Sequence, residues 1–249
     1  MQIEGSVALV TGANRGLGRA YARALADAGA RKVYGAARDP RTITDPGVIP
    51  VRLDVTDPAQ VAAAAELAGD VSIVVNNAGV GTVTSFLDED PDAALAAARE
   101  MLEVNYLGTL SVSHAFAPVL AANGGGALVN MLSVLSWVSL PLHGPYNASK
   151  AAAWSLTNAL RVQLRGQGTL VVGVHAGYLE TDMAAGAPGP KTAPEAIAAQ
   201  VVAALAAGEE EVLGDQLSRD VKSGLSRDLE LLYPGIQEQF DAAAAAAAA

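Results

Sequence analysis

The chain has 249 residues, no cysteine and a formal net charge of -10, with 51% apolar and 17% charged residues. The length fits one or two domains, the apolar share excludes a disordered protein, and the lack of cysteine excludes disulfides, cysteine-ligated metals and cysteine nucleophiles. The acidic balance argues against nucleic acid as a partner, because phosphate contacts need clustered Lys and Arg. No long uncharged apolar run and no signal peptide are visible, so we expect a cytoplasmic protein with no membrane partner.

Short apolar runs alternate with longer alanine-rich stretches along most of the chain. Continuous apolar runs are typical of strands buried on both faces of a parallel sheet, and stretches rich in Ala, Leu, Arg and Glu favour helix. The alternation predicts an α/β fold in which a doubly wound parallel sheet carries helices on both faces. The predicted strands are 7–10, 32–37, 48–53, 71–76, 127–133 and 170–175, and the predicted helices are 17–28, 58–67, 91–120 and 145–165.

A glycine-rich turn follows the first strand and opens the first helix, with Gly12, Gly16 and Gly18 as its three glycines. Gly12 permits a tight turn, Gly16 lets the backbone approach a pyrophosphate, and Gly18 lets the helix pack closely on the strand. The helix N-terminus supplies unpaired N–H groups and the positive end of a dipole to the phosphates. An ordinary strand-to-helix turn is the alternative, but the position of the motif favours a dinucleotide site.

Three motifs occur in order: Thr11-Gly12-x-x-x-Gly16-x-Gly18, then Asn76-Asn77-Ala78-Gly79, then Tyr146-x-x-x-Lys150. Together they resemble the short-chain dehydrogenase/reductases of the compact, NADP-dependent type, and the resemblance extends from about Val7 to Met183. It implies a single Rossmann-type domain that transfers hydride between a nicotinamide cofactor and a carbonyl carbon, without a metal.

Four residues form the candidate catalytic set. Tyr146 and Lys150 are spaced to share one helix face, where the ammonium lowers the pKa of the phenol towards the operating pH. The resemblance implies that Tyr146 is the general acid/base, that Ser133 polarises the substrate carbonyl, and that Lys150 also binds the nicotinamide ribose. It further implies that Asn105 disturbs the central helix and holds a water for proton relay. The alternatives are a chance surface pair of Tyr and Lys, the confusion of Ser133 with Ser136 or Ser139, and a merely buried amide at Asn105.

The sequence favours NADP(H) as the cofactor. The position that usually holds an acid for the ribose hydroxyls reads Ala36-Ala37-Arg38, and Arg15 lies inside the glycine turn. Two guanidinium groups suit a 2′-phosphate, and the alternative is a pair of solvated arginines, one of them bound to Asp39. The predicted cofactor contacts are Gly12, Asn14, Arg15, Gly16, Leu17, Gly18, Arg38, Asp54, Val55, Asn77, Ala78, Gly79, Tyr146, Lys150, Gly177 and Thr181.

Two loops, 135–144 and 178–190, are predicted to bind the substrate, because ligands bind beyond the carboxyl ends of strands in open α/β sheets. Their apolar character favours a ketone, aldehyde or secondary alcohol with an apolar or aromatic body, although these side chains could simply pack the core. His175 lies in a strand and is expected to be structural. The predicted pocket residues are Leu135, Trp137, Leu140, His143, Tyr178 and Met183.

The C-terminal half departs from the family pattern. Ala176-Gly177 stands where the family usually has Pro-Gly, so we expect a looser turn. Residues 211–215 are a candidate seventh strand, but the polar stretch 217–240 replaces the usual glycine-rich strand. We therefore expect at least a homodimer, through the helices near Pro91 and Pro145, and leave a homotetramer open.

The predicted organisation is one catalytic domain, residues 1–241, followed by an alanine-rich tail, 242–249. The tail is compatible with a frayed helical end, a disordered segment or a non-native addition. The predicted function is that of an NADP(H)-dependent carbonyl reductase or alcohol dehydrogenase acting on a small molecule. A ketoacyl-carrier reductase and a non-catalytic NADP-binding sensor are the alternatives.

Overall fold

The computed structural model describes residues 1–86, 90–187 and 189–247. In this part of the chain a parallel seven-stranded sheet has the order β3-β2-β1-β4-β5-β6-β7, which confirms the predicted Rossmann-type fold. The order reverses between β1 and β4, and this switch point creates a crevice at the carboxyl ends of the strands. The strands β1 to β7 are Val7–Thr11, Lys32–Ala37, Val48–Arg52, Ile73–Asn76, Ala127–Met131, Leu170–His175 and Glu211–Leu213.

The helices cover both faces of the sheet because alternate residues of each buried strand face opposite sides. In β1, Ala8 and Val10 pack against α1 and α6, whereas Val7 and Leu9 belong to the core beneath α2, α4 and α5. The helices α1 to α9 are Gly16–Asp27, Pro58–Leu67, Pro91–Leu102, Thr109–Ala122, Gly144–Leu164, Pro194–Ala207, Gln216–Gly224, Asp228–Leu231 and Tyr233–Ala247. None of the helices in the described part of the chain is both long enough and apolar enough to cross a bilayer.

The predicted helix 91–120 is interrupted in the structure. A π-helical segment, Glu103–Gly108, separates α3 from α4. The Asn105 side chain lies in this segment and donates to the backbone of Val80 on the neighbouring loop, while a Cβ on Gly108 would press against Val55. Such π-helical segments occur inside longer helices, often at functional sites.

The C-terminal region differs from a glycine-rich strand, as expected. β7 is three residues long, and residues 216–247 form α7, α8 and α9 with a short 3₁₀ turn at Leu225–Arg227. Residues 242–247 of the predicted tail continue α9, whereas residues 248 and 249 lie outside the described residues.

Candidate active site

The glycine turn is shaped to bring backbone against backbone. Gly12 and Gly16 have φ angles of +65° and +50°, which L side chains rarely adopt. A Cβ on Gly18 would collide with the carbonyl oxygen of Gly12, so only glycine allows α1 to begin so close to the turn. No side chain caps the N-terminus of α1, so its first N–H groups and its positive dipole end face the crevice. This arrangement fits the pyrophosphate of a dinucleotide.

Thr11 joins the glycine turn to the segment after β4. Its Oγ1 accepts hydrogen bonds from the N–H groups of Asn77 (2.9 Å) and Ala78 (3.0 Å), and the Asn77 amide donates to the Thr11 carbonyl at 3.0 Å. The two loops on either side of the switch point are therefore held as one unit. The sequence marks Thr11 only as the first residue of the glycine motif and does not predict this bridging role.

Two arginines border the turn. Arg38 follows β2 and is exposed, and within the described residues it forms no hydrogen bond or ion pair. Asp39 instead pairs with Arg41 at 2.9 Å, so the alternative pairing considered from the sequence is wrong. Arg15 pairs with Asp182 at 3.0 Å, although both side chains are more than two-thirds exposed. An unpaired Arg38 fits the 2′-phosphate of NADP, while Arg15 would have to exchange its partner.

The remaining predicted cofactor positions lie around this crevice. Asp54 uses its carboxylate to accept from the N–H (3.0 Å) and hydroxyl (2.7 Å) of Thr56, which fixes the turn after β3. Val55 is buried against the π-helical segment. A Cβ on Gly16 would lie 3.2 Å from Cγ2 of Thr181, so the loop after β6 reaches the glycine turn. The partly buried positions are Asn14, Asn77, Ala78, Gly79, Gly177 and Thr181, and Leu17 is buried.

Ser133, Tyr146 and Lys150 meet at the carboxyl end of β5. Burial raises the pKa of Tyr146 to about 12, and a hydrogen bond from the Ser133 side chain acts in the opposite direction. The Lys150 ammonium lies 5.8 Å from the centre of the Tyr146 ring and donates to the Met131 carbonyl at 2.9 Å. Burial lowers the pKa of Lys150 to about 8. The pKa of Tyr146 is thus shifted away from the operating pH, and the lowering by Lys150 that the sequence predicts is not found; of the nearby groups, the Ser133 hydroxyl is the one that acts to lower this pKa.

Asn105 is buried and fixes the loop beside this group. Its amide nitrogen donates to the Val80 carbonyl and its amide oxygen accepts from the Val80 N–H, both at 2.9 Å. The same nitrogen also donates to Ser149 Oγ, and Ser149 donates to the Tyr146 carbonyl at 2.8 Å. Asn105 is therefore linked to the backbone of Tyr146 through Ser149, a residue that the sequence analysis missed.

The predicted substrate loop 135–144 packs beside Tyr146. Leu135 is buried in a cluster with Val134, Val138 and Val221 of α7, and Trp137, Leu140 and Tyr146 pack on that cluster. His143 is half-buried, with its pKa lowered by burial, and a short β-bridge joins it to Thr84. Leu135 and Trp137 thus form part of the packing beneath the site.

The second predicted substrate loop, 178–190, has one of its predicted pocket residues, Met183, near Tyr146. A Cβ on Gly81 would lie 3.2 Å from the Tyr146 ring and 3.6 Å from the Met183 sulfur, so Met183 is close to the phenol. Tyr178 is partly buried, and its carbonyl accepts from the N–H of Thr192 at 2.9 Å. Residue 188 of this loop lies outside the described residues.

Comparison with known proteins agrees with this geometry. The sequence model of the short chain dehydrogenase family matches residues 6–190. Cis-4-hydroxycyclohexanecarboxylate dehydrogenase of Sinomonas cyclohexanicum is 37% identical over 216 residues, which cover 82% of this chain and 85% of that protein. Short chain dehydrogenase tazN of Aspergillus terreus is 34% identical over 215 residues, or 79% of this chain. The match covers only 44% of the length of tazN.

Solved structures resemble the whole chain. A short chain dehydrogenase from Burkholderia cenocepacia in complex with NADP is 41% identical, with a TM-score of 0.89 over 95% of this chain and 99% of that one. A short chain dehydrogenase/reductase from Burkholderia phymatum in complex with NAD is 28% identical, with a TM-score of 0.81 over 93% of this chain and 96% of that one. Both nicotinamide dinucleotides are thus represented among proteins with this fold.

Proposed function

Because the chain belongs to the short chain dehydrogenase family of oxidoreductases, we propose that it interconverts a ketone or aldehyde with the corresponding alcohol, using NADP(H). The observation that carries this proposal is the grouping of Ser133, Tyr146 and Lys150 beside the uncapped N-terminus of α1. The phenol, hydroxyl and ammonium provide proton transfer and oxygen recognition, and the helix terminus provides an anion site.

The cofactor, when bound, supplies hydride to the carbonyl carbon. Tyr146 then gives its phenolic proton to the substrate oxygen, and Ser133 donates a hydrogen bond that polarises this oxygen before transfer. The Lys150 ammonium stabilises the phenolate that Tyr146 leaves behind. In the direction of alcohol oxidation, the phenolate takes the hydroxyl proton. Asn105 and Ser149 hold the backbone beside the phenol.

Two residues and one comparison support NADP(H) over NAD(H). Arg38 is exposed, and its side chain is unpaired within the described residues. An acid at this position would instead favour the free ribose hydroxyls of NAD(H). Arg15 lies at the start of α1 and can turn from Asp182 to a phosphate, because its present pair is exposed and worth little. The similarity to the NADP complex from Burkholderia cenocepacia supports the same choice.

The surroundings of Tyr146 support a substrate with an apolar body. Exposed apolar side chains lie on the segments around the site: Leu142 is 45%, Met183 57% and Phe86 61% exposed. The loop 135–144 contains no Arg or Lys that would neutralise a free carboxylate. We therefore expect neutral ketones and aldehydes to be preferred over keto acids.

The test is a panel of carbonyl compounds assayed with NADPH, together with Tyr146→Phe. This variant is expected to lose turnover and to keep NADPH binding. Tyr34→Phe is the matched control, because its hydroxyl bonds Asp70 before β4 begins, near the amino ends of the strands. Undiminished turnover by Tyr146→Phe would refute the role of the phenol. NADPH binding without turnover of any carbonyl would favour a sensor, and a strict preference for ketoacyl thioesters would favour a carrier-linked reductase.

We also propose that the protein forms at least a homodimer through α3, α5 and the π-helical segment. These helices leave large apolar side chains exposed: Leu95 is 51%, Leu107 42% and Val162 77% exposed. Contact with a second copy would remove this surface from water. Light scattering coupled to size exclusion measures the mass directly, and a monomer at micromolar concentration would contradict the proposal.

A further inference from the structure

We propose that His175 is a positioning residue for the reaction: its imidazole fixes the backbone of Ser133 and so aims the serine hydroxyl at Tyr146. The role in turnover rests on the proposed function, whereas the effect on Ser133 does not. From the sequence, His175 is expected only to be structural.

The His175 ring is directly bonded to the serine backbone. His175 is the last residue of β6 and is fully buried, and its Nδ1 lies 3.0 Å from the Ser133 carbonyl oxygen. A carbonyl oxygen can only accept, so Nδ1 carries the proton and donates it. Nε2 is left with a lone pair and has no hydrogen-bond partner among the described residues. A carboxylate oxygen of Glu211 lies 4.0 Å from Nε2.

The backbone of Ser133 is hydrogen-bonded differently from that of its two neighbours. The N–H groups of Leu132 and Val134 donate to carbonyls of Val174 and Ala176, at 2.8 and 3.0 Å. The Ser133 N–H instead donates to Ser136 Oγ at 3.2 Å, and its carbonyl accepts from His175 Nδ1 and from the N–H of Ser136, both at 3.0 Å. Removing the imidazole would leave this buried carbonyl with only the Ser136 N–H, from its own short turn, as donor. It would also remove the bond from this carbonyl to β6, which favours a shift of the backbone.

The serine hydroxyl is aimed by this backbone. Ser133 Oγ accepts from the N–H of Leu135 at 3.1 Å and lies 3.5 Å from the Ala176 carbonyl oxygen, and the Ser133 side chain acts to lower the pKa of Tyr146. Contact with both Leu135 and Tyr146 requires one orientation of the Cα–Cβ bond, because a hydroxyl oxygen must lie within about 3 Å of each hydrogen-bond partner. A rotation of the Ser133 peptide would therefore move the hydroxyl away from the phenol.

Trp137 holds the plane of the imidazole. The two rings are stacked with centroids 3.7 Å apart and an interplanar angle of 18°, and Trp154 packs edge-on against Trp137 at 6.5 Å. Burial lowers the pKa of His175 to about 4, with Glu211, Lys222 and Arg161 as the charged groups around it. The ring is thus neutral near pH 7, and it donates to Ser133 without placing a second positive charge near Tyr146.

The test compares His175→Leu, which keeps volume and removes the donor, with His175→Asn, which retains a donor near the position of Nδ1. We expect His175→Leu to lower kcat by about 10- to 100-fold with an unchanged Kd for NADPH, because small displacements of catalytic groups have effects of this size. His175→Asn should recover most of the rate. In a Ser133→Ala background His175→Leu should cost nothing further, since its effect passes through Ser133. His114→Leu, at an exposed position, is the matched control.

A second measurement needs no substrate. Hydrogen exchange of the Leu135 amide reports whether Ser133 Oγ is in place, and it should accelerate in His175→Leu but not in His175→Asn, while a β1 amide such as that of Leu9 stays protected. Nitrogen-15 NMR of the parent protein should show the proton on Nδ1. A proton on Nε2, an unchanged Leu135 amide, or fully multiplicative rate losses would each overturn the proposal. If the parent turns over no carbonyl, the proposed function fails, and the exchange and tautomer still decide the role of His175.

Discussion

The Gly177 N–H donates to Oδ2 of Asp215 at 2.6 Å, and this bond ties the turn after β6 to the N-terminus of α7. The other carboxylate oxygen accepts from the N–H of Ser218 at 2.7 Å and caps the helix. The sequence predicts a loose turn, because Ala176 stands where the family usually has proline. In the structure a carboxylate anchors this turn from the next strand–helix connection, and Gly177 is held by a charge-assisted bond.

Asp215→Ala is therefore expected to weaken NADPH binding about tenfold, because one charge-assisted hydrogen bond and one helix cap are lost. Asp215→Asn keeps one acceptor oxygen and should have a smaller effect. Asp220→Ala, on the exposed side of α7, is the matched control. Calorimetric titration measures the three affinities, and equal values for Asp215→Ala and the parent would contradict an anchoring role.

Arg38→Asp is expected to exchange the cofactor preference. The carboxylate would repel a 2′-phosphate and accept hydrogen bonds from free ribose hydroxyls, so kcat/KM should fall at least tenfold with NADPH and rise with NADH. Arg31→Asp, at an exposed position before β2, makes the same charge change at the amino end of the strand and should leave the ratio unchanged. Steady-state rates with both cofactors give the result. If the ratio is the same in Arg38→Asp and the parent, Arg38 does not contact the phosphate.

Asp45 should stabilise the nucleotide-binding helix in a pH-dependent way. Its buried carboxylate accepts from Arg19 and Arg23 on α1, both at 2.6 Å. Burial raises the pKa of Asp45, but the hydrogen bonds from the two arginines outweigh it and the net shift is downward. A carboxylate whose pKa is lowered by folding stabilises the protein at pH values above the ordinary pKa of Asp. This stabilisation is lost as the pH falls through the folded-state pKa. Asp45→Asn should thus cost about 2–4 kcal/mol at pH 7 and progressively less towards pH 3.

Urea unfolding at several pH values measures this difference. Asp39→Asn, which breaks an exposed pair with Arg41, is the control and should be nearly neutral. A loss of stability for Asp45→Asn that is the same at pH 3 and pH 7 would show that packing, rather than charge, is responsible.

The sequence predicts the fold and the location of the site because both depend on local patterns. Apolar runs with glycine or proline at their ends predict the strands, and parallel strands bring their carboxyl ends to one edge. The motif of Tyr146 and Lys150 depends only on helix periodicity. These features need no knowledge of which distant residues touch.

What the sequence does not predict are contacts between residues far apart in the chain. His175 and Ser133 are bonded across two strands, and Asp215 reaches Gly177 from another connection. The local sequence alone favours a continuous helix around Asn105, and only the resemblance implied the disturbance that the structure shows as a π-helical segment beside the Val80 loop. Aspartate and histidine occur at many neutral positions, so residue type alone does not distinguish such anchors.

The buried Lys150 should set the alkaline limit of carbonyl reduction. Burial lowers its pKa from an ordinary 10.5 to about 8, so the free enzyme loses this ammonium as the pH rises through 8. Since kcat/KM reports groups of the free enzyme, it should decline above about pH 8 in the direction of reduction. Lys150→Arg keeps its charge at all these pH values and should have a lower but flat profile. A parent profile that is flat to pH 10 would contradict this assignment.

The same lowered pKa of Lys150 predicts that stability rises with pH while the rate of carbonyl reduction falls. Between pH 8 and 10.5 the unfolded chain holds more protons on Lys150 than the folded protein, so the free energy of unfolding rises with pH in this window. Lys150→Met removes the cost of burying the charge and should be more stable than the parent at pH 7, with an advantage that shrinks from pH 8 to 10.5. Urea midpoints at pH 7, 8.5 and 10 measure this trend. A variant less stable than the parent at pH 7 would mean that the bond to Met131 outweighs the cost of burial.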